Sequence, residues 1–210
     1  MDDVPYIFCD AVVGTIAEIP KLDSSNHSEF SLWKAAFKNH SDNRLTFGLF
    51  IAFDRGEWYY RLQMWNGSYY SYSVDFAYFK QANLNYLRIK TVEYSYMQFY
   101  SFYRLSKRQE IEEIINYIAP FVNLADLTLL NQYIEESDMS IMLSYFQHAS
   151  FENITTWHFN EDFLICCLQS GCLKEVRING WCWWEEFQAE LQQFILKKPF
   201  RDINCHATNL

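Results

Sequence analysis

Glycine and proline are scarce, at 6 and 4 of 210 residues. So thin a supply of glycine leaves no Gly-rich phosphate loop: neither G-x-G-x-x-G nor G-x-x-x-x-G-K-[ST] occurs. No stretch reaches the roughly 18 apolar residues needed to cross a bilayer, so no membrane partner is expected. The opening Met1-Asp2-Asp3-Val4-Pro5 is acidic where a secretory leader is positive, which predicts a cytoplasmic or nuclear protein. Basic residues are in the minority, 17 Lys and Arg against 26 Asp and Glu, for a net charge of −9. A chain with that balance gains nothing from counterion release, so nucleic acid is not an expected partner.

Signatures of chemistry are missing too. No G-x-S-x-G elbow is present. The six cysteines are Cys9, Cys166, Cys167, Cys172, Cys182 and Cys205, and no two form C-x-x-C. Without a secretion signal they read as reduced thiols that behave as small hydrophobes. His158, Cys205 and His206 fall in or beside predicted strands, where core or surface roles are commoner than metal ligation. The carboxylates of Glu112-Glu113, Glu135-Glu136, Glu161-Asp162 and Glu185-Glu186 are adjacent in sequence. Adjacent residues on a helix do not face each other, so these pairs make poor acid/base dyads. The expectation is a protein with no catalytic residue, no cofactor and no metal. The sequons at Asn26, Asn66 and Asn153 carry no meaning without secretion.

What the chain does have is apolar side chains, 50% of the total, with 19% aromatic. That supports a core of native size and excludes disorder over most of the length. Phe8, Val12 and Ile16 stand four apart, which predicts a first helix over residues 4–20, with Pro5 in its first turn and Pro20 at its end. Phe30, Trp33 and Phe37 predict a second helix to about Lys38. From residue 44 the period changes. Leu45, Phe47, Leu49 and Ile51 alternate, Asp54-Arg55-Gly56 supplies a turn, and Trp58–Leu62 begins another strand. Asn66-Gly67 signals a hairpin ahead of the run from Tyr69 to Tyr72. Residues 43–80 therefore read as a small antiparallel meander.

Beyond residue 80 a spacing recurs: apolar-x-x-apolar-x-apolar. It is found at Leu84/Leu87/Ile89, Leu124/Leu127/Leu129, Leu173/Val176/Ile178 and Phe200/Ile203/Cys205, with a weaker copy at Phe151/Ile154/Thr156. In chain order the copies start 40, 27, 22 and 27 residues apart, the last three within the roughly 20–29 residues of leucine-rich repeats. Helical patterns separate them. Ser106-x-x-Gln109 resembles a capping box opening a helix to about Ala119, with Ile111, Ile114, Ile115 and Ile118 on one face. Residues 138–149 carry Met139, Met142, Leu143 and Phe146. Asn160 and Gly171 can cap a helix holding Phe163, Leu164, Cys167 and Leu168. Trp184, Phe187, Leu191, Phe194 and Ile195 predict a last helix. The neighbouring Trp181 and Trp183 either pack on the repeat core or anchor a partner.

One strand and one helix cannot bury their own apolar sides; stacked copies can, with the strands parallel and helices over one face. The fold class expected is thus mixed α/β: helices at the N-terminus (1–42), the antiparallel meander, then strand–helix units with a parallel sheet over 81–210, as one continuous unit. The bare sheet face is the usual binding surface of such stacks. The residues placed there are Lys174, Glu175 and Arg177, with Glu152, Asn153 and Thr155 on the neighbouring strand.

Val4-Pro5-Tyr6-Ile7-Phe8-Cys9-Asp10-Ala11-Val12-Val13 resembles the Leu-Pro start and first helix of an F-box. Trp33 resembles the aromatic found later in that motif. Arg44–Ile51 and Gly56–Tyr60 also look like segments of the divergent F-box and F-box-associated proteins of nematodes. The resemblance is at the level of pattern and spans the chain. It implies a non-catalytic interaction protein, the substrate-recruiting subunit of a cullin–RING (SCF-type) ubiquitin ligase. Its partners would be a Skp-type adaptor and a target of unknown identity. Pro5, Phe8, Val12 and Ile16 would form the adaptor-facing stripe. The polar stretch Lys21–Glu29 stands where a second F-box helix belongs, and the same stripe could instead pack on the chain's own core. A stand-alone repeat-like binding or scaffold protein is the alternative.

Overall fold

Among the described residues, a single mixed sheet of eight strands organises the fold. The structure, a computed structural model, describes residues 5–16, 31–66, 70–95, 104–130, 135–156 and 160–178, together with 189, 192 and 193. The copy at Phe200/Ile203/Cys205, the last-helix stripe, Trp181, Trp183, Trp184, His158 and His206 lie outside the described residues.

Two helices, α1 (Tyr6–Thr15) and α2 (Ser31–Asn43), precede the sheet. The strands are β1 (Leu45–Asp54), β2 (Glu57–Asn66), β3 (Tyr70–Val74), β4 (Leu87–Ser95), β5 (Arg104–Ser106), β6 (Val122–Leu129), β7 (Ser150–Thr156) and β8 (Glu175–Ile178). Between them lie α3 (Phe76–Lys80), α4 (Arg108–Ile118), α5 (Glu136–Ser144) and α6 (Glu161–Ser170). No helix of the described residues is long and apolar enough to cross a membrane.

Strand order is β3-β2-β1-β4-β6-β7-β8. β1, β2 and β3 pair antiparallel as the meander, whereas β1–β4, β4–β6, β6–β7 and β7–β8 are parallel. The fold class is therefore mixed α/β, as the change of period at residue 44 and the strand–helix alternation predict. The sequence contains no cue for β5: this short strand returns to pair with β2 over Trp58–Tyr60, so β3 and β5 share one edge of β2.

Register explains the core. Val74, Leu62, Leu49, Val92, Leu127, Ile154 and Val176 stand opposite one another across seven successive strands. All are buried, so one apolar row binds meander and repeats into a common layer. α3 to α6 pack over this face through Phe76 and Phe79, the four isoleucines Ile111, Ile114, Ile115 and Ile118, then Met139, Met142, Leu143 and Phe146, and Phe163, Leu164, Cys167 and Leu168.

The repeat copies at Leu124, Phe151 and Leu173 coincide with β6, β7 and the lead into β8. The first copy is misplaced. Leu84 lies in a 3-10 turn, and the residues that continue the Leu127 and Leu129 rows are Val92 and Tyr94. Ile89/Val92/Tyr94 has the same spacing, five residues on. Leu124 also departs from the pattern: its φ of 53° marks an irregularity in β6, and Ala125 takes the buried place opposite Phe151.

Helix ends show which caps form. Asn160 Oδ1 accepts from the Phe163 N–H at 3.0 Å, and Gly171 closes α6 in the left-handed region at φ 75°. Both fit the predicted roles. The capping box does not form. Ser106 ends β5, α4 starts one residue later than a Ser106 cap requires, and the Ser106 hydroxyl bonds Glu110 at 2.6 Å instead.

Candidate interaction surfaces

α1 and α2 have a small core of their own, separate from the sheet's. Cys9, Val13 and Ala36 are buried in it, with Trp33 and Phe37 packed alongside. Because Cys9 and Val13 take α1's inward side, the residues on either side of Cys9 point elsewhere. Ile7 is 77% exposed and Phe8 53%, with Tyr6 also exposed. Phe8 keeps one edge-to-face contact, with Trp33 at 6.2 Å between ring centroids. Of the predicted stripe, Pro5 and Phe8 are exposed, while Val12 and Ile16 are half-buried. The structure thus splits that stripe, and the exposed apolar group is Tyr6, Ile7 and Phe8. Ile7 escaped the sequence reading because it falls outside the four-residue rhythm.

Polar contacts fasten the helix pair. The Asn39 amide donates to Tyr86 Oη at 2.7 Å, and weaker contacts at 3.3 and 3.4 Å reach Tyr6 Oη and Asp10 Oδ1. His40, only 2% exposed, brings Nε2 to 3.2 Å from Asp10 Oδ1 and sets its ring edge-to-face on Tyr86 at 5.1 Å. Close approach of α1 permits this: a Cβ on Gly14 would lie 3.3 Å from His40 Cε1. Arg44, at the α2–β1 junction, donates from Nη1 to the Ile16 carbonyl at 2.9 Å and from Nη2 to the Val13 carbonyl at 3.1 Å. A cation on the last carbonyls of a helix also meets the negative end of its dipole. Burial, together with the nearby Arg88 charge, pulls the Arg44 guanidinium down to about 10.

The second surface is the sheet face opposite the helices. In its parallel half, Thr91, Asp126, Asn153 and Glu175 stand in one row, and Glu93, Thr128, Thr155 and Arg177 in the next. Asn153, Thr155, Glu175 and Arg177 of the predicted set are thus brought together. Asn153 donates to Asp126, and Arg177 pairs with Glu175 on its own strand. Glu152 falls outside the two rows, where the β6–β7 register shifts, and Lys174 precedes β8; they pair with each other at 2.8 Å.

Over the meander the same face changes character. A Cβ on Gly48 would lie 2.5 Å from Trp65 Cη2 and 2.9 Å from Phe50 Cε2. Glycine here lets the Trp65 indole lie across β1, and the Arg61 guanidinium sits 4.4 Å from the Phe50 ring centroid. This aromatic platform, and Arg88 near it, were missed because alternation marks such residues only as facing away from the core.

Among the described residues, no group of three or more His, Cys, Asp and Glu side chains could hold a metal ion. Burial pushes the Cys167 thiol up to about 12, which suits a packing role for it. No protein-family model matches the chain, and neither does any curated protein or solved structure.

Proposed function

We propose that the protein is a non-catalytic interaction module of the cytoplasm or nucleus. Its N-terminal helix pair docks an adaptor and the sheet face opposite α3 to α6 holds a target, as in the substrate-recruiting subunit of a cullin–RING ubiquitin ligase. The observation that carries this reading is the division of labour on α1. Cys9 and Val13 complete a private two-helix core, while Tyr6, Ile7 and Phe8 are left in solvent. Adjacent exposed aromatic and aliphatic side chains on one helix are what an interface hot spot draws on. The expected partner of that surface is a Skp-type adaptor. The test is co-purification of the full chain with such an adaptor. Wild type is expected to retain it, and Ile7→Asp, at the most exposed of the three side chains, to lose it at an unchanged thermal midpoint. Absence of adaptor from the wild-type complex contradicts the proposal.

A second reading, a stand-alone binding or scaffold protein without an adaptor, draws support from the half-buried Val12 and Ile16, which shorten the exposed stripe. It predicts binding through the rows of Asn153 and Thr155 that Phe8→Asp leaves untouched.

A further inference from the structure

β3 closes one end of the strand order, and among the described residues no strand pairs beyond it. Which of its backbone groups face outward follows from the β1–β2 turn. Arg55 and Gly56 have φ of 51° and 84°, the mark of a two-residue type I′ hairpin closed by a hydrogen-bonded pair, here Asp54 and Glu57. Hydrogen-bonded and non-bonded pairs alternate along antiparallel strands. The odd-numbered residues of β2 therefore bond β1, while Leu62, Met64 and Asn66 bond Val74, Tyr72 and Tyr70 of β3. The N–H and C=O groups of Ser71 and Ser73 are left pointing away from the sheet. Both serines are exposed, and no backbone hydrogen bond from a described residue reaches those groups. The Gln63 amide at 2.6 Å takes only the Ser71 hydroxyl.

Sheets guard such edges with lysine, proline or a bulge. β3 has none of these: it reads Tyr70-Ser71-Tyr72-Ser73-Val74 and keeps an even register with β2. No charged side chain occurs from Leu62 to Val74, in a chain that is 20% charged and carries a net −9. The stretch is thus one where two copies of this acidic chain can meet without charge facing charge.

We propose that β3 is a self-association edge, pairing antiparallel with β3 of a second copy of this chain about a two-fold axis at Tyr72. In that register Ser71 of each copy stands opposite Ser73 of the other, and the outward groups of both serines close a set of reciprocal hydrogen bonds. Tyr72 meets its own counterpart in a non-bonded pair, where opposed Cα atoms lie about 4.5 Å apart and aromatic pairs stabilise. Its side chain is 45% exposed and so has surface left to bury. A second copy is favoured over a foreign strand because donors, acceptors and the absence of charge all match by symmetry. Edge pairing buries less than the roughly 1,600 Å² of a standard interface, so the dimer is reversible and depends on concentration.

The test is sedimentation velocity of the full chain from micromolar to millimolar concentration. The mean mass of wild type is expected to climb from one chain toward two. Ser73→Pro removes an outward N–H that β2 does not use, a place where an edge strand tolerates proline; it should stay monomeric and folded. Tyr72→Lys and Tyr72→Glu each set like charges against each other on the axis, so each alone should be monomeric, and their equimolar mixture should recover the dimer. A wild type that stays monomeric throughout overturns the proposal, as does a dimer that persists in folded Ser73→Pro or in Tyr72→Lys. If Ser73→Pro does not fold, the charge pair decides: recovery in the mixture supports the edge, and a monomeric mixture overturns it.

Discussion

Leu127 stands directly opposite Ile154 across the β6–β7 pair, and both side chains are buried beneath the helices. Asn153, one residue away, projects to the other face and bonds Asp126. The strand thus carries two unlike functions at neighbouring positions, and mutation should separate them. Ile154→Ala is expected to cost about 2–5 kcal/mol through lost burial and a cavity. Asn153→Ala should cost about 1 kcal/mol, the scale of one hydrogen bond. Denaturant unfolding of the two variants measures both. Similar costs would contradict the assignment of faces.

Gly48 and Trp65 define the meander's outer face. Gly48→Ala drives a Cβ into the indole, so it should destabilise by about 1–3 kcal/mol, as overpacking does. Replacing Trp65 with Leu removes the nearer obstacle and leaves the Phe50 ring edge at 2.9 Å. The double variant should then be less damaged than the sum of the singles, a coupling readable in a double-mutant cycle.

Tyr94 is fully buried in the core, and its hydroxyl has no hydrogen-bond partner. Tyr94→Phe deletes an unsatisfied polar group and keeps the ring, so unfolding at neutral pH should show equal or greater stability, by about 1 kcal/mol. A loss of stability would mean that the hydroxyl is satisfied.

Alkaline pH should weaken the fold in steps. Burial raises the Cys167 thiol from 9.0 to about 12 and pushes the Tyr94 phenol above its ordinary 10.0. A group with a raised folded pKa contributes stability that is complete below its unfolded value and is lost as pH rises through the folded one. Stability should therefore begin to fall above pH 9 through Cys167 and above pH 10 through Tyr94. Arg44 acts the other way: its folded value of about 10 lies below 12.5, so its deprotonation returns some stability between those limits. Cys167→Ala should flatten the slope between pH 9 and 12 in thermal unfolding followed against pH. An unchanged slope would exclude the thiol as its cause.

Much of the layered fold was legible in the sequence, because helix stripes and strand alternation are local signals. The isoleucines of α4, the caps at Asn160 and Gly171, and the copies at Leu127, Ile154 and Val176 needed only spacing. The start of the repeat was not legible. Leu84/Leu87/Ile89 and Ile89/Val92/Tyr94 satisfy the same degenerate spacing, and only pairing with Leu127 and Leu129 chooses between them. The return of β5 to β2 is a long-range pairing with no local trace. On the surfaces, alternation placed Asn153, Thr155, Glu175 and Arg177 together. It gave no sign that Arg88 would be buried; on α1 the four-residue rhythm singled out Phe8 but not Ile7, whose outward turn follows from Cys9 and Val13 facing α2.

The role proposed for α1 is decided most directly by what the helix does when a partner is present. Amide hydrogen exchange of the full chain, with and without a Skp-type adaptor, reads this out. Slowed exchange confined to α1 and α2, with β6, β7 and β8 unaltered, is the predicted result. An exchange pattern in α1 that is identical with and without adaptor would contradict it.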